Sequence, residues 1–399
     1  MKKKTIQISV LVDGRPATGC WAKVEFRLKD GGSTSQDRLI GSSGRCRVSY
    51  DETQQKPSLL VVAAVGYWTV RQPDPGDKET VHLDRLPTNG PLGWWHKAVG
   101  IRAHERHRGR NIRIGVIDTG TNDHECLRHV KNLGSFQGVY HDPADGFDSW
   151  GHGTHVCGII GARPQGAHQF AGLAPGANLM TVRAMSREND QSVGESSRIR
   201  QTSLAEAIEF LAIEKQVDLI NISLGSEKRS DFVLARLQEA FDAGTLCICA
   251  SGNAGNVSIH FPASCSEAVA VSALGHKQAN PCPEHFEPSE SGKFGKFGYF
   301  LLGSSNFGPG IDACAPGMSV ISCAASDPAG FVEMTGTSMA APVVTGLLAA
   351  VLSEDSEYLA ADRTVARAQI ASDRLFSICA DVGLDPQYQG KGMPCLTAP

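Results

Sequence analysis

The stretch Gly336-Thr337-Ser338-Met339-Ala340-Ala341-Pro342, GTSMAAP, places a serine after two small residues and ahead of an apolar run that continues to Leu352. That run holds Pro342 and Gly346 and is shorter than the roughly 20 residues a bilayer span needs, so it reads as a buried helix. Ser338 then stands at a helix N-terminus, where its backbone N–H is free to donate to an anion. A serine in that place on its own is an N-cap. Its meaning depends on what accompanies it.

Two other segments bear on that. In IRIGVIDTG, Asp118 closes a short apolar run and precedes a Thr119-Gly120 turn, where alternating strand–helix proteins display functional carboxylates. A strand-end aspartate also serves simply to cap a turn. In GHGTHVCGIIGA, His152 lies between Gly151 and Gly153, which let other backbone come close, and the small residues after it suit a deeply packed helix. His152, His155 and Cys157 raise the question of a metal, but the H-E-x-x-H pattern and a carboxylate at helical spacing are both missing. As a general base, His152 needs a carboxylate to fix its tautomer and stabilise its imidazolium form, and Asp118 can supply it. His155, one turn on, reads as structural. Aspartate, histidine and serine thus follow one another in one of the three chain orders of serine-hydrolase triads.

On these residues the segment from about 95 to 396 resembles the subtilisin family (subtilases) of serine proteases. VIDTG, GHGTHVCG and GTSMAAPVVTG each match a family signature, in order. Between them, INISLG is similar to the family's cleft strand, ASGNAG to its oxyanion-asparagine loop and FPAS to the turn beside its specificity pocket. GWWHKAVG resembles the segment that enters the catalytic domain.

The resemblance implies an α/β fold, a mostly parallel sheet with helices on both faces, and an endopeptidase that forms an acyl-enzyme on Ser338. It implies His152 as general base and then acid, Asp118 as orienting carboxylate, and Asn253 as side-chain donor to the oxyanion. A preorganised amide serves there better than water, which must reorient. It also implies that Ser223, Leu224 and Gly225, with Ala250, Ser251 and Gly252, offer backbone groups to an extended protein or peptide substrate. His260, in IHFPAS, falls by the same likeness near the floor of the P1 pocket. There it either narrows the pocket and favours a polar or acidic P1 residue, or turns to solvent. An esterase of the α/β-hydrolase type is disfavoured, because Ala340 stands where the second glycine of G-x-S-x-G belongs. A silent binding module of the subtilase fold would not require Asp118, His152, Asn253 and Ser338 together.

Outward from the motifs, the chain reads as three parts. Residues 1–88 carry short β-branched and apolar runs, Ile6 to Val12, Trp21 to Leu28, Arg45 to Tyr50, Leu59 to Val65 and Thr80 to Leu83, separated by turns such as Asp13-Gly14. That pattern predicts a small all-β sandwich, and DGRPATG and VAAVGYW resemble carboxypeptidase-regulatory-like or transthyretin-like modules. Subtilases often carry an inhibitory α+β prodomain there, but no helical period is visible. Docking of substrates or partners and a prodomain role both stay open. Residues 89–94, within a PTNGP-rich stretch, read as linker, and 95–399 as the catalytic domain.

In that domain, short apolar runs alternate with helical patterns. The strands are expected at Ile112 to Ile117, Leu179 to Val182, Leu219 to Ser223, Leu246 to Ala250 and Val269 to Ala273. A helix from Ser203 to Gln216 is expected to open with a Ser203–Glu206 capping box, and one from Asp231 to Ala243 to stop at Gly244.

Composition limits the alternatives. With 399 residues, 41% hydrophobic and 20% charged, a sizeable core is possible, and 38 Lys+Arg against 42 Asp+Glu leave nothing global to attract nucleic acid or an anionic membrane. No secretory signal is visible after Met1, and the 12 cysteines contain no C-x-x-C pair. Buried free thiols, Cys247 and Cys249 among them, favour a reducing, cytoplasmic compartment. No cofactor is expected. Subtilases often bind calcium after the catalytic aspartate, but TNDHECL places Cys126 about where an acidic ligand would be, and hard cations want oxygen. Residues 186–202 and 277–303 look longer than usual for the family; the first either restricts the distal substrate pockets or is a solvated loop.

Overall fold

The computed structural model describes residues 2–88, 90–137, 139–186, 198–199, 201–256, 258–279 and 293–397. These divide into two compact units, the first formed by Met1–Pro87 and the second beginning at Thr88.

In the first unit, alternation along Cys20–Leu28 buries Cys20, Ala22, Val24 and Phe26 and turns Trp21, Lys23 and Arg27 outward. That strand pairs antiparallel with Ser33–Ile40 on one side and Gln55–Ala63 on the other, and Val70–Pro73 completes the sheet. A second sheet is built on Lys3–Val12, flanked by Arg45–Asp51 and, in parallel, by Lys78–His82. Ile6, Ile8 and Val10 from the one and Val24, Phe26 and Leu60 from the other share a single core. Ser33–Ile40 and Val70–Pro73 were not expected as strands. Both lie at edges of their sheet, and the polar sequence of the first, STSQDRLI, shows no apolar alternation.

The second unit is organised by one large sheet. Its strands are β1 (Arg113–Asp118), β2 (Lys131–Gln137), β3 (Tyr140–Asp142), β4 (Asn178–Arg183), β5 (Leu219–Ile222), β6 (Leu246–Ala250), β7 (Ala268–His276), β8 (Tyr299–Leu301) and β9 (Ala313–Pro316). The order is β3-β2-β4-β1-β5-β6-β7-β8, with β9 also on β7, and every pair is parallel except β3 with β2 and β8 with β7. Buried on both faces, β5 and β6 are the continuous apolar runs LINI and LCICA. The chain moves out from β1 to one side and later returns to its other side, so a crevice opens at the carboxyl end of β1.

Four helices pack against this sheet. They are α1 (His152–Gly161), α2 (Gln201–Glu209), α3 (Asp231–Asp242) and α4 (Thr337–Leu352). α4 is buried almost all round, which explains its uniformly apolar sequence. α3 ends as expected, with Gly244 at φ +79° just past its C-cap. α2 corrects an expectation: it begins at Gln201, so Ser203 lies inside the helix, fully buried, and is not its N-cap. At the far end of the sheet, buried Asp218 accepts from Arg113 N at 2.8 Å, Arg363 Nη1 at 3.1 Å and Arg367 Nη2 at 3.0 Å, tying β5 to the C-terminal segment.

Candidate active site

Asp118 closes β1 and is fully buried. Its Oδ1 accepts the backbone N–H of Thr119 at 2.8 Å and Nδ1–H of His152 at 2.7 Å. Its Oδ2 has no hydrogen-bond partner among the described residues. His152 is the first residue of α1, and the helix can start there because Gly151 takes φ +87° and Gly153 has no Cβ to strike the Gly120 carbonyl.

The turn into α1 is fixed by Asp148, which the sequence did not single out. Buried beneath His152, its Oδ1 accepts from Thr119 Oγ1 at 2.8 Å, Trp150 N at 3.0 Å and Gly151 N at 2.7 Å. Its Oδ2 accepts from Thr154 N at 2.8 Å and Thr154 Oγ1 at 2.6 Å. The two histidines of α1 consequently diverge. Burial pulls His152 toward its neutral form, but Asp118 and then Asp148 outweigh it and hold its pKa above the ordinary histidine value. Burial pushes His155 down to about 3, and its Nε2 sits 3.1 Å from Val320 O and 3.2 Å from Val332 O. His155 therefore stays neutral and ties α1 to the hairpin of Val320–Cys323 and Phe331–Met334.

Ser338 lies in the first turn of α4, following Gly336 at the N-cap. Its Oγ donates to Ser223 O at 3.0 Å, while Ser223 Oγ donates to Ser338 O at 2.9 Å. Behind them Asn221 Nδ2 donates to Ser223 Oγ at 2.8 Å. In this state no hydrogen bond joins Ser338 to His152; such bonds commonly tighten only when substrate is present.

Asn253 lies on the exposed turn that follows β6. Its Oδ1 accepts Thr337 N at 2.9 Å and Thr337 Oγ1 at 3.1 Å, which leaves its Nδ2 without a hydrogen-bond acceptor among the described residues. A Cβ at Gly336 would come within 3.2 Å of that Oδ1, so the small residue ahead of Thr337 keeps the amide in place.

The geometry thus brings Asp118 to His152, Ser338 to Ser223 and Asn253 to the turn just before Ser338. Residues 109–373 match the family model described as the subtilase family. The chain belongs to the subtilase family. This subtilase is 32% identical over 260 residues to the thermostable alkaline protease of Halalkalibacterium halodurans, a likeness covering 64% of this chain and 61% of that protein. It is 29% identical over 302 residues to the major intracellular serine protease of Bacillus subtilis, covering 73% of this chain and 83% of the other. Among solved structures, the S41 psychrophilic protease superposes with a TM-score of 0.61 and 25% identity, covering 78% of this chain and 100% of that one.

The remaining residues expected in the site form two walls, one bonded to Ser338 through Ser223 and the other to Thr337 through Gly252. Ser223, Leu224 and Gly225 continue β5, while Ala250, Ser251 and Gly252 end β6 and leave it. Gly252 N donates to Thr337 Oγ1 at 3.2 Å, tying that wall to the start of α4. His260 N donates to Ser251 O at 2.9 Å, and Phe261 exchanges backbone hydrogen bonds of 2.8 and 2.9 Å with Ser226, so residues 260–261 bridge the two walls.

A second residue missed from the sequence, Asn306, braces the Asn253 turn. Fully buried, its Oδ1 accepts Ala254 N at 2.7 Å, its Nδ2 donates to Ser258 O at 2.7 Å, and its backbone N–H donates to Gly252 O at 2.8 Å. Its only sequence signal is a polar GSSNFG stretch with no distinctive spacing.

The calcium ligand that the resemblance places near Cys126 does not fit these residues. Cys126 donates its thiol to Gln169 Oε1 at 3.3 Å, and the same oxygen accepts Gln165 N at 2.6 Å and Gly166 N at 3.2 Å. An amide oxygen bearing three donors, beside a thiol, offers a hard cation little. Among the described residues no three His, Cys, Asp or Glu side chains are grouped to hold a metal. Of residues 186–202 and 277–303, expected to be long, 187–197, 200 and 280–292 lie outside the described residues.

Proposed function

We propose that this chain is a serine endopeptidase that hydrolyses peptide bonds through an acyl-enzyme on Ser338 and needs no cofactor. The observation that carries the reading is the 2.7 Å hydrogen bond from His152 Nδ1 to buried Asp118, which fixes the tautomer and leaves Nε2 basic. Ser338 Oγ attacks the scissile carbonyl carbon while Nε2 takes its proton. The carbonyl oxygen, now negative, is received by Asn253 Nδ2 and the Ser338 N–H. His152 returns the proton to the leaving amine, the C–N bond breaks, and water repeats the sequence on the ester.

The compartment we infer is the cytoplasm, and the role selective processing of proteins. Eleven described cysteines are all free, as a reducing environment would keep them, and the Bacillus subtilis relative is named an intracellular protease. No helix of the described residues is long and apolar enough to cross a membrane. Substrate docking is assigned to the first unit, where Trp21, 52% exposed, faces Leu39, 58% exposed, across neighbouring strands. Replacing Trp21 by serine should raise KM for a protein substrate and leave that for a short peptide unchanged.

The test of the activity is incubation of the wild type and Ser338→Ala with a fluorophosphonate probe and a pooled peptide library, read by mass spectrometry. Labelling and cleavage by the wild type alone are expected. An inert Ser338 in a folded, full-length chain would replace the protease by a binding module.

A further inference from the structure

A cavity of about 480 Å³ opens against the loop that leads into α1, a size that takes a ligand group. Residues from three segments line it: Thr121–Asp123 after β1, Pro143–Phe147 before α1, and Ala325 in the turn of the Val320–Met334 hairpin. Asn122 holds these segments together. Its Nδ2 donates to Asp148 O at 2.9 Å and Ala325 O at 3.1 Å, and its Oδ1 accepts Asp148 N at 2.8 Å. Its own N–H donates to Thr154 Oγ1 at 3.1 Å, and Thr121 N donates to Gly146 O at 3.1 Å. The cavity is therefore preformed.

It also abuts the catalytic loop. A Cβ on Gly151, the residue before His152, would lie 3.5 Å from the Ala325 side chain. None of the lining residues belongs to the walls made by Ser223 to Gly225 and Ala250 to Gly252. A polypeptide whose acyl half lies along those walls thus reaches the cavity with the part that continues past His152, the half released as the amine.

The lining sets what can bind. Phe147 is 63% exposed, and Pro143 adds further apolar surface. Asp123 is exposed, and no hydrogen bond or ion pair joins its side chain to another described residue. Asp145, by contrast, is already paired with Arg183. The stretches 119–127, 139–151 and 324–335 contain no lysine or arginine, and Lys131, beside Asn132 on β2, turns to the opposite face of that strand. An exposed ring beside a free carboxylate suits a long basic side chain, whose stem lies on the ring while its head meets both the ring face and the carboxylate.

Resting on the protease reading above, we propose that this cavity is a specificity site for a lysine or arginine on the leaving-group side of the scissile bond. Because Gly151 adjoins His152, that residue falls within the first four positions after the bond, roughly 13 Å of extended chain. Glutamate there meets Asp123 as a like charge and is disfavoured.

The experiment uses the full chain and quenched fluorescent peptides that share one acyl half. A single lysine is moved through the first four positions after the bond, with glutamate, alanine or phenylalanine as replacements. The variants are Asp123→Asn and Phe147→Ala, and fluorophosphonate labelling of Ser338 reports a folded site in each. In the wild type, lysine at one position should raise kcat/KM over alanine by about three- to tenfold, mostly through KM, the scale of an exposed ion pair backed by an aromatic face. The gain should shrink in about 1 M salt. Asp123→Asn should abolish the difference between lysine and glutamate and leave the alanine peptide cleaved at the wild-type rate. Phe147→Ala should weaken the lysine gain while glutamate stays disfavoured.

No position at which lysine outruns glutamate, or a preference that Asp123→Asn leaves unmoved, would overturn the inference. So would a preference for phenylalanine over lysine, which would make the cavity an apolar site. A wild type that neither labels nor cuts removes the protease reading instead; one that labels and cuts all the peptides equally removes only this inference.

Discussion

The Ser223 hydroxyl donates to the main-chain carbonyl of Ser338, and it does so where the helix cannot. In α4 that carbonyl would ordinarily accept from the N–H four residues on, but residue 342 is a proline and has none. Ser223→Ala should therefore strip a part-buried acceptor of its donor and lower stability by about 1–3 kcal/mol. Combined with Pro342→Ala, which restores an N–H, the loss should be smaller than the sum of the single changes. Denaturation of the four proteins of the cycle measures this; strict additivity would show the two residues to be uncoupled.

The acid limb of activity should follow His152. Because Asp118 and Asp148 outweigh burial and raise its folded pKa, kcat/KM should fall with decreasing pH around a midpoint above the ordinary value of about 6.5. Asp148→Asn removes one of the two charges and should move the midpoint to lower pH. The linkage has the opposite sense for stability: a raised folded pKa stabilises fully below the unfolded value, and the contribution fades as pH rises through the folded one. Rate profiles and melting curves over the same pH series separate the two.

Asn253→Ala should reduce kcat by about 10²–10³-fold, the cost known for losing the oxyanion asparagine of subtilisin, with little change in KM. Asn306→Ala should produce a milder loss of the same kind, because it frees the turn without removing the donor. If Asn253→Ala raised KM at constant kcat, the amide would be binding substrate rather than the transition state.

Stability and catalysis should come apart at Asp218. Its removal leaves Arg367 and Arg363 without their shared carboxylate, Arg367 with only 10% of its side chain exposed, and breaking such a pair costs about 3–5 kcal/mol. Asp218→Ala should thus lower the melting temperature while kcat/KM at 20 °C stays near wild type. Loss of activity at a temperature where the variant is still folded would contradict the assignment of this cluster to the framework.

A chelator should leave the melting temperature unchanged, whereas Gln169→Ala should lower it, because the Gln169 amide and not a cation gathers the Gln165, Gly166 and Cys126 donors. A marked fall on adding EDTA would refute this.

The sequence made the strands LINI and LCICA and the helix Thr337–Leu352 legible because burial on both faces demands unbroken apolar runs. Asp118, His152, Asn253 and Ser338 were readable because each sits in a glycine-rich context that only a tight approach requires. Asp148 and Asn306 were not: the Asp148 carboxylate gathers the Trp150, Gly151 and Thr154 amides with the Thr119 and Thr154 hydroxyls, and Asn306 is bonded to Ser251, Gly252, Ala254 and Ser258, contacts that no motif spacing announces. The cap wrongly given to Ser203 failed for a related reason: Gln201 and Thr202 carry no mark that the helix has already begun.

The central position of β1 carries a further consequence. Asp118 ends a strand hydrogen-bonded to parallel neighbours on both sides, so its amides should exchange with solvent deuterium only when the whole unit unfolds, whereas Asn253 rides an exposed turn. Gentle warming should then blunt the enzyme by unseating a single amide while the aspartate–histidine pair is still intact, and cooling should restore it without refolding.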